Sequence, residues 1–307
     1  MIKSPIIFIT YKRPTETKKI LKLILKQKFS KIYIFQDGLN HKLSEVEKKK
    51  FIQTREIIQK IKSKKIKVIL FKKNIGLKYV AKKILGTVFK LEKKAIILED
   101  DTVPEKSFFS YCDNLLEKYK ENKKIAHISG CNLHYGTTKK KLTQKSYFYS
   151  KFPHVWGWAT WSDRWLKYYD PDIKNWPKDK SEFLNNCNLK PGEKRYFKFY
   201  LDKIYYKNGP GWDQQWIFSN ILNNLKTIVP QKNLIKNIGY NSNPTGKSAK
   251  KFRDLHTQNI RLPLVHDHKH RYNKTYDEFL YKSFYKRDLI FLRVIKRIKL
   301  LIKYLKF

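Results

Sequence analysis

The chain has 307 residues, with 41% hydrophobic and 15% aromatic residues, and 68 Lys and Arg set against 26 Asp and Glu for a formal charge of +42. That apolar content builds a sizeable core and excludes wholesale disorder, and the length is that of one large domain or two ordinary ones. The basic residues are 58 Lys and only 10 Arg, whereas base readout and bidentate phosphate clamps favour Arg, so the excess reads first as a solvated Lys surface, with a nucleic-acid-binding protein or an inactive membrane-associated scaffold as the alternatives.

Such a surface arises from a compositional bias toward Ile, Asn and Lys, or from attraction to anionic lipid or an anionic substrate. Cys112, Cys131 and Cys187 are odd in number, far apart and outside any C-x-x-C spacing, so neither a disulfide framework nor a zinc site is expected. No stretch approaches the ~20 apolar residues of a spanning helix, and the first apolar run is too short for a signal-peptide core. The expectation is a cytoplasmic protein in a reducing compartment, peripheral on the inner face of the cytoplasmic membrane.

Taken in order, residues 5–10 (PIIFIT), 31–36 (KIYIFQ), 66–71 (IKVILF) and 95–99 (AIILE) are short Ile- and Phe-rich runs bounded by charged or turn residues, and read as buried parallel strands. Helical patterns lie between them. The first opens on Pro14 at a helix N1 position and continues with Ile20, Leu21, Ile24 and Leu25. The second opens on Ser44 and Glu47, a capping-box pair, and continues with Ile57, Ile58 and Ile61. The third carries Val80, Ile84, Val88 and Leu91. This alternation predicts an α/β doubly wound sheet with ligands at the carboxyl ends of its strands.

In the second half, helices are predicted over about 193–206 and 213–224, and a strand over 226–229. All seven Trp lie between Trp156 and Trp216. Residues 136–145 and 240–251 are polar loops. Residues 285–307 form a basic amphipathic pattern, with Ile290, Val294, Ile298, Leu301 and Leu305 on one face and Lys and Arg on the other. It reads as a membrane-surface helix, with docking on the protein's own core as the alternative.

The chemistry concentrates at strand ends. After the first strand, Thr10-Tyr11-Lys12-Arg13-Pro14 contains no glycine, and no Walker loop occurs anywhere, so a bound diphosphate would have to be neutralised by something other than a glycine cradle. The fourth strand runs into Glu99-Asp100-Asp101. Three adjacent carboxylates at the end of a buried strand repel one another unless a cation sits among them, and a divalent ion there could bridge two phosphate oxygens. The alternative is that Asp101 or Thr102 caps a helix starting near Pro104. His266, His268 and His270 alternate; on a strand they would face one side, as a metal site or, more plainly, as a solvated edge.

The run ILEDDTVPEKSFFSYCDNLL resembles the metal-binding strand and following helix of nucleotide-sugar glycosyltransferases of the GT-A fold, and more narrowly the N-acetylglucosaminyltransferase I type and its bacterial family-2-like relatives. PIIFITYKRP, IFQDG, VILFKKNIGLKYV, VWGWATW and GPGWDQQW resemble, in the same order, other segments of that family over about residues 5–240. The resemblance implies that Thr10 and Arg13 touch the nucleotide, that Asp37 accepts a hydrogen bond from uracil or ribose, and that Asn74, Gly76 and Lys78 line the nucleotide pocket. It implies that Glu99 and Asp100 bind ribose and sugar, that Asp101 is the chief ligand of a divalent metal, Mn²⁺ or Mg²⁺, and that Asp213 is the catalytic general base. Trp156, Gly157, Trp158 and Trp212 would bind the acceptor, and Trp161, Trp165 and Trp216 are expected in the core.

One departure stands out. Asn237-Ile238-Gly239 is followed by no His until His256, where relatives of this kind place one, which leaves a third protein ligand unassigned. The implied protein is a metal-dependent, inverting transferase with a GT-A-like doubly wound mixed sheet. It would move a sugar from a UDP-sugar-like donor to a hydroxyl of a glycan or lipid-linked acceptor. Residues 1–255 would form the transferase domain, with a nucleotide-sugar half over 1–130 and an acceptor half over 131–255. Residues 256–307 would form a basic extension toward an anionic membrane surface.

Overall fold

The computed structural model describes residues 1–136, 142–174, 176, 184–207, 211–239 and 255–285. The four Ile-rich runs are strands β1 (Ile6–Thr10), β2 (Ile32–Gln36), β3 (Ile66–Leu70) and β4 (Lys94–Glu99). They pair in parallel in the order β3-β2-β1-β4. Between them run α1 (Pro14–Leu25), α2 (Glu45–Gln59) and α3 (Leu77–Val88). Pro14 does open α1. The Ser44–Glu47 capping box is formed, with the Glu47 amide donating to Ser44 Oγ at 3.3 Å and the Ser44 amide donating to the Glu47 carboxylate at 3.1 Å. Leu91 falls beyond the end of α3 and is exposed.

β1, β2 and β4 are buried because successive residues feed two separate cores, whereas β3, expected to be buried, is the edge strand and only half-buried, with Lys67 exposed. Ile6 and Phe8 of β1 pack with Ile20, Leu21 and Ile24 of α1 and Ile58 of α2. Ile7 between them packs on the other side with Val80, Ala81, Ile84 and Leu85 of α3. A helix layer therefore covers each face of the sheet, and the loops after the strand carboxyl ends are free to line a cleft.

After β4 the chain makes a two-residue turn into the short β5 (Thr102–Pro104), then α4 (Ser107–Lys118) and β6 (Ile125–Ser129). It continues through β7 (Tyr147–Ser150), β8 (Trp158–Trp161), α5 (Ser162–Tyr168), α6 (Pro191–Lys207), α7 (Asp213–Leu222), β9 (Lys226–Pro230), β10 (Ile235–Asn237) and α8 (Lys274–Leu280), which runs on into a π-helical turn at Tyr281–Tyr285. The main sheet has eight strands in the order β3-β2-β1-β4-β8-β6-β9-β7. It is mixed: β8 is antiparallel to both β4 and β6, β9 is parallel to β6, and β7 is antiparallel to β9. The expected α/β class is observed, and the sheet is mixed as expected, its antiparallel pairs falling after β4. A separate ribbon pairs β10 with β5 antiparallel, setting Asn237 opposite Thr102.

Four Trp extend the second core. Trp158 is fully buried and stacks on Trp212 at 5.8 Å between ring centres, with Trp165 and Trp216 against it. His127 is held neutral beneath them: Trp216 Nε1 donates to its Nδ1 at 3.1 Å, its Nε2 lies 2.9 Å from the His154 carbonyl, and burial pushes its pKa down to about 3. Residues 257–273 are stitched to the body. Ser107 donates its amide to Asn259 Oδ1 at 2.8 Å, and Asn273 donates its amide to the Tyr149 carbonyl at 2.8 Å. His266 bonds to the Tyr147 hydroxyl at 2.9 Å and His270 stacks on Tyr149, so these histidines fasten the β7 edge instead of converging on a metal. The amphipathic pattern over 286–307, residues 137–141 of the first polar loop and the whole of the second (240–251) lie outside the described residues.

Candidate active-site cleft

At the carboxyl ends of β1 to β4 a cleft of about 350 Å³ opens. Seven of the residues singled out from sequence line it from the strand ends, namely Thr10, Arg13, Asp37, Asn74, Gly76, Glu99 and Asp100, and Trp212 closes the far wall. They come from four separate loops, brought together by the parallel register of the sheet.

The acidic triplet occupies the turn between β4 and β5. No helix starts there, so its acids are not helix caps; α4 begins only at Ser107. Thr102 closes the turn, its hydroxyl donating to the Glu99 carbonyl and accepting from the Glu99 amide, both at 2.9 Å. Asp100 accepts from the Tyr11 amide at 2.9 Å and from Arg13 Nη1 at 2.7 Å. The same Arg13 nitrogen lies 3.1 Å from Asp101 Oδ2. Arg13 thus reaches across from the β1 loop to the β4 turn and serves as the built-in counter-cation of the triplet.

One guanidinium does not balance three carboxylates. Burial, with Asp101, Asp100 and Asp213 as like-charged neighbours, holds Glu99 well above the usual carboxylate range. Burial raises Asp100 to about 6 and raises Asp101 as well, against the pull of Arg13 on both. Burial alone would lower the Arg13 pKa, but Asp100 and Asp101 outweigh it and raise it. The turn therefore holds its carboxyl groups ionised only at a cost, which a further cation would relieve.

Asp213 begins α7 beside Trp212 and is half-buried. Its charge bears on Glu99 and on Tyr169, so it lies near the acidic turn, although neither Asp213 nor Asp101 is among the residues that line the cleft. Burial raises its pKa. Gly211 makes this placement possible: its φ is +110°, and a Cβ there would lie 2.7 Å from Asp213 Oδ1. The residues before it, 208–210, lie outside the described residues. The Asn237–Gly239 stretch also reaches the triplet. Ile238 donates its amide to the Asp101 carbonyl at 2.8 Å, and a Cβ on Gly239 would meet Asp101 Oδ2 at 2.4 Å.

Other expected residues hold different positions. The Asp37 carboxylate accepts from the amides of Gly38, Ile75 and Gly76 and from Asn74 Nδ2, at 2.8–3.1 Å. Those four donors use its acceptor capacity to pin the 74–76 turn, which makes Asp37 the fastener of one cleft wall. Lys78 is paired with Asp172 at 2.9 Å and does not line the cleft. Trp158 lies in the core, so its ring supports Trp212 and is closed to an acceptor. Gly157 is a packing glycine, with φ +56° and a Cβ position 2.4 Å from Ile235. Trp156 is partly buried against the first core. Tyr11, Lys12, Asn40 and Leu77 also line the cleft and were missed. Tyr11 and Lys12 sat inside the glycine-free loop already singled out, whereas nothing in sequence distinguishes Asn40 or Leu77 from surface residues.

A divalent metal fits this chemistry in a limited way. The donors are hard carboxylate oxygens, suited to Mg²⁺ or Mn²⁺. Among the described residues no three His, Cys, Asp or Glu side chains converge to enclose an ion. A metal would be held by Asp101 with one neighbouring carboxylate, its remaining ligands coming from water and phosphate, the usual arrangement for Mg²⁺. No protein-family model matches the chain, and no curated protein matches it.

Proposed function

We propose that this protein is a metal-dependent glycosyltransferase of GT-A type, which moves a sugar from a nucleoside-diphosphate sugar, a UDP-sugar first, to a hydroxyl of a glycan or lipid-linked acceptor. The observation that carries the reading is the gathering of Thr10, Arg13, Asn74, Gly76, Glu99 and Asp100 at one cleft, with Asp101 next in the turn and Asp213 of α7 near enough for its charge to bear on Glu99. Four parallel strands followed by an antiparallel insertion, with a small β5/β10 ribbon at the acidic turn, are consistent with the GT-A type.

In this reading the diphosphate lies against the acidic turn and Arg13. The metal supplies charge neutralisation for the departing diphosphate. Arg13 has two sets of partners, the carboxylates seen here and the phosphate oxygens of a donor, and can exchange one for the other without leaving the cleft. The Asn74–Gly76 wall, fixed by Asp37, borders the nucleoside. Asp213 takes the proton of the acceptor hydroxyl as that oxygen bonds to the anomeric carbon and the bond to the diphosphate breaks. Burial raises its proton affinity toward the working pH of a general base. One base and direct displacement give inversion. The membrane role attaches to the sequence of residues 286–307 and to the Lys-rich composition.

The test is a thermal-unfolding series with UDP, GDP, ADP and their sugar conjugates, with and without Mn²⁺. A binding nucleotide raises the transition by mass action, about 2.7 kcal/mol at a hundredfold excess over Kd. A UDP-sugar shift that grows with Mn²⁺ is expected. No shift with any nucleoside diphosphate removes the donor-site reading.

A further inference from the structure

An open groove of about 460 Å³ runs between α3 and α5 on the outside of the second core. α3 gives it Tyr79, Lys82, Lys83, Gly86 and Thr87, and the stripe runs on to Lys90. These positions recur at helical spacing and form one side of the helix. Val80, Ala81, Ile84, Leu85 and Val88 form the other side and are buried in the second core.

Two residues at the groove are apolar and open to solvent, Tyr79 at 41% and Leu166 of α5 at 58% exposure. The charged groups around them have one sign. Lys82, Lys83 and Lys90 are exposed, and among the described residues no carboxylate pairs with any of them. Asp172, which accepts from the Tyr79 hydroxyl at 2.8 Å, is already paired with Lys78 at 2.9 Å. Gly86 stands in the middle of the stripe, and a Cβ there would meet no atom within 4 Å. Packing therefore does not call for glycine, although glycine weakens a helix relative to alanine. Its effect is a deeper groove, where an outside group can approach the helix. Exposed Leu and Tyr beside unpaired Lys suit anionic lipid: the aliphatic chain enters the acyl boundary, the tyrosine sits at headgroup level, and the ammonium groups reach the phosphates. A nucleic acid offers no apolar phase to Leu166.

We infer that the α3–α5 face rests on an anionic lipid bilayer, with Leu166 and Tyr79 in the interface and Lys82, Lys83 and Lys90 on lipid phosphates. The inference deepens the membrane part of the proposed function and rests on it for the bilayer as partner; it uses neither residues 286–307 nor glycosyl transfer. It sets the α3 wall of the cleft beside the membrane, because Ile75 lines the groove while Gly76 and Leu77 line the cleft. A hydroxyl carried on a lipid would arrive there.

Cys112, Cys131 and Cys187 are buried, so a thiol-reactive, environment-sensitive fluorophore reports on an introduced cysteine. Leu166→Cys and Ile52→Cys are labelled in the full chain and mixed with vesicles of phosphatidylglycerol or of phosphatidylcholine. Ile52 is 50% exposed on α2, which packs on the first core across the sheet. The expected result is brighter, blue-shifted emission from the Leu166→Cys label with phosphatidylglycerol alone, and no change from Ile52→Cys. Lys82→Gln, Lys83→Gln and Lys90→Gln together are expected to weaken co-sedimentation with phosphatidylglycerol vesicles about tenfold or more. Lys49→Gln, Lys50→Gln and Lys60→Gln, which remove the same charge from α2, are expected to do less. All six lysines are exposed, so unfolding temperatures should stay at the wild-type value. A silent Leu166→Cys label, an equal response at both sites or to both lipids, or an equal loss from the two triple variants overturns the docking face. A silent label on protein that still co-sediments leaves the membrane reading standing, whereas wild type that does not co-sediment removes both. Nucleotide titration alone decides the donor cleft.

Discussion

At the scale of single residues, the cleft is built from side chains that satisfy each other before any ligand arrives. Arg13 binds two carboxylates, Asp37 binds four donors, and Gly211 gives way to Asp213. Asp213→Asn keeps the size of the side chain and removes its capacity to take a proton. Transfer is expected to fall by roughly 10²–10⁴-fold with nucleotide affinity intact, the usual contribution of a general base; unchanged turnover would take Asp213 out of that role. Gly38 tests the wall beside it. A Cβ at Gly38 would lie 2.1 Å from the Lys73 carbonyl carbon and 2.4 Å from the Asn74 nitrogen, so Gly38→Ala must push the 73–76 backbone away. The expected cost is roughly 1–3 kcal/mol, at the upper end because backbone yields less than side chain. Thermal unfolding that matches wild type would show that the 73–76 turn has slack.

At the scale of elements, the first four strands and three helices were legible because each strand is a near-continuous apolar run, because the first two helices open on start signals, Pro14 and the Ser44–Glu47 box, and because the third shows apolar residues at helical spacing. β6, β7 and β8 were not legible. They are four or five residues long, and β8 is the WATW stretch whose Trp residues read equally as ligand platforms. The acidic turn was found because three adjacent carboxylates stand out in any apolar strand context. The role of Asp37 was hidden because its partners are backbone amides 38 and 39 positions away, which no residue type announces.

α8 offers an element-level test. Asp277 is buried, accepts from Ser150 Oγ at 2.6 Å, and lies near Lys151 and Glu193. Burial, only partly offset by the Ser150 bond and Lys151, raises its pKa to about 7. With the folded value above the unfolded one near 3.9, the folded state holds the proton more tightly, so this group's stabilisation is present below about pH 4 and is lost as pH rises through 7. Asp277→Asn removes that dependence. The unfolding temperature of wild type relative to the variant is expected to fall steadily between about pH 4 and pH 7, and a constant difference across that range would mean that Asp277 is not held protonated.

At the scale of the molecule, an eight-stranded mixed sheet places the acidic turn, the Arg13 loop and the start of α7 around one opening, while the remaining charge is spread over a Lys-rich exterior. Among the described residues no helix is long and apolar enough to cross a membrane. A strongly positive exterior raises the local concentration of any anionic partner, and a nucleotide diphosphate is one, with an effect that salt screens over about a Debye length. Within the cleft three acids share one guanidinium and their pKa values are raised, so in the proposed function a cation is what lets them stay ionised beside a diphosphate. The most direct measurement is therefore calorimetric titration of UDP, with and without Mn²⁺, into wild type and Asp101→Ala. The predicted result is tight binding to wild type that requires Mn²⁺ and disappears in the variant; the same binding in both proteins, or none to wild type with the metal present, would contradict it.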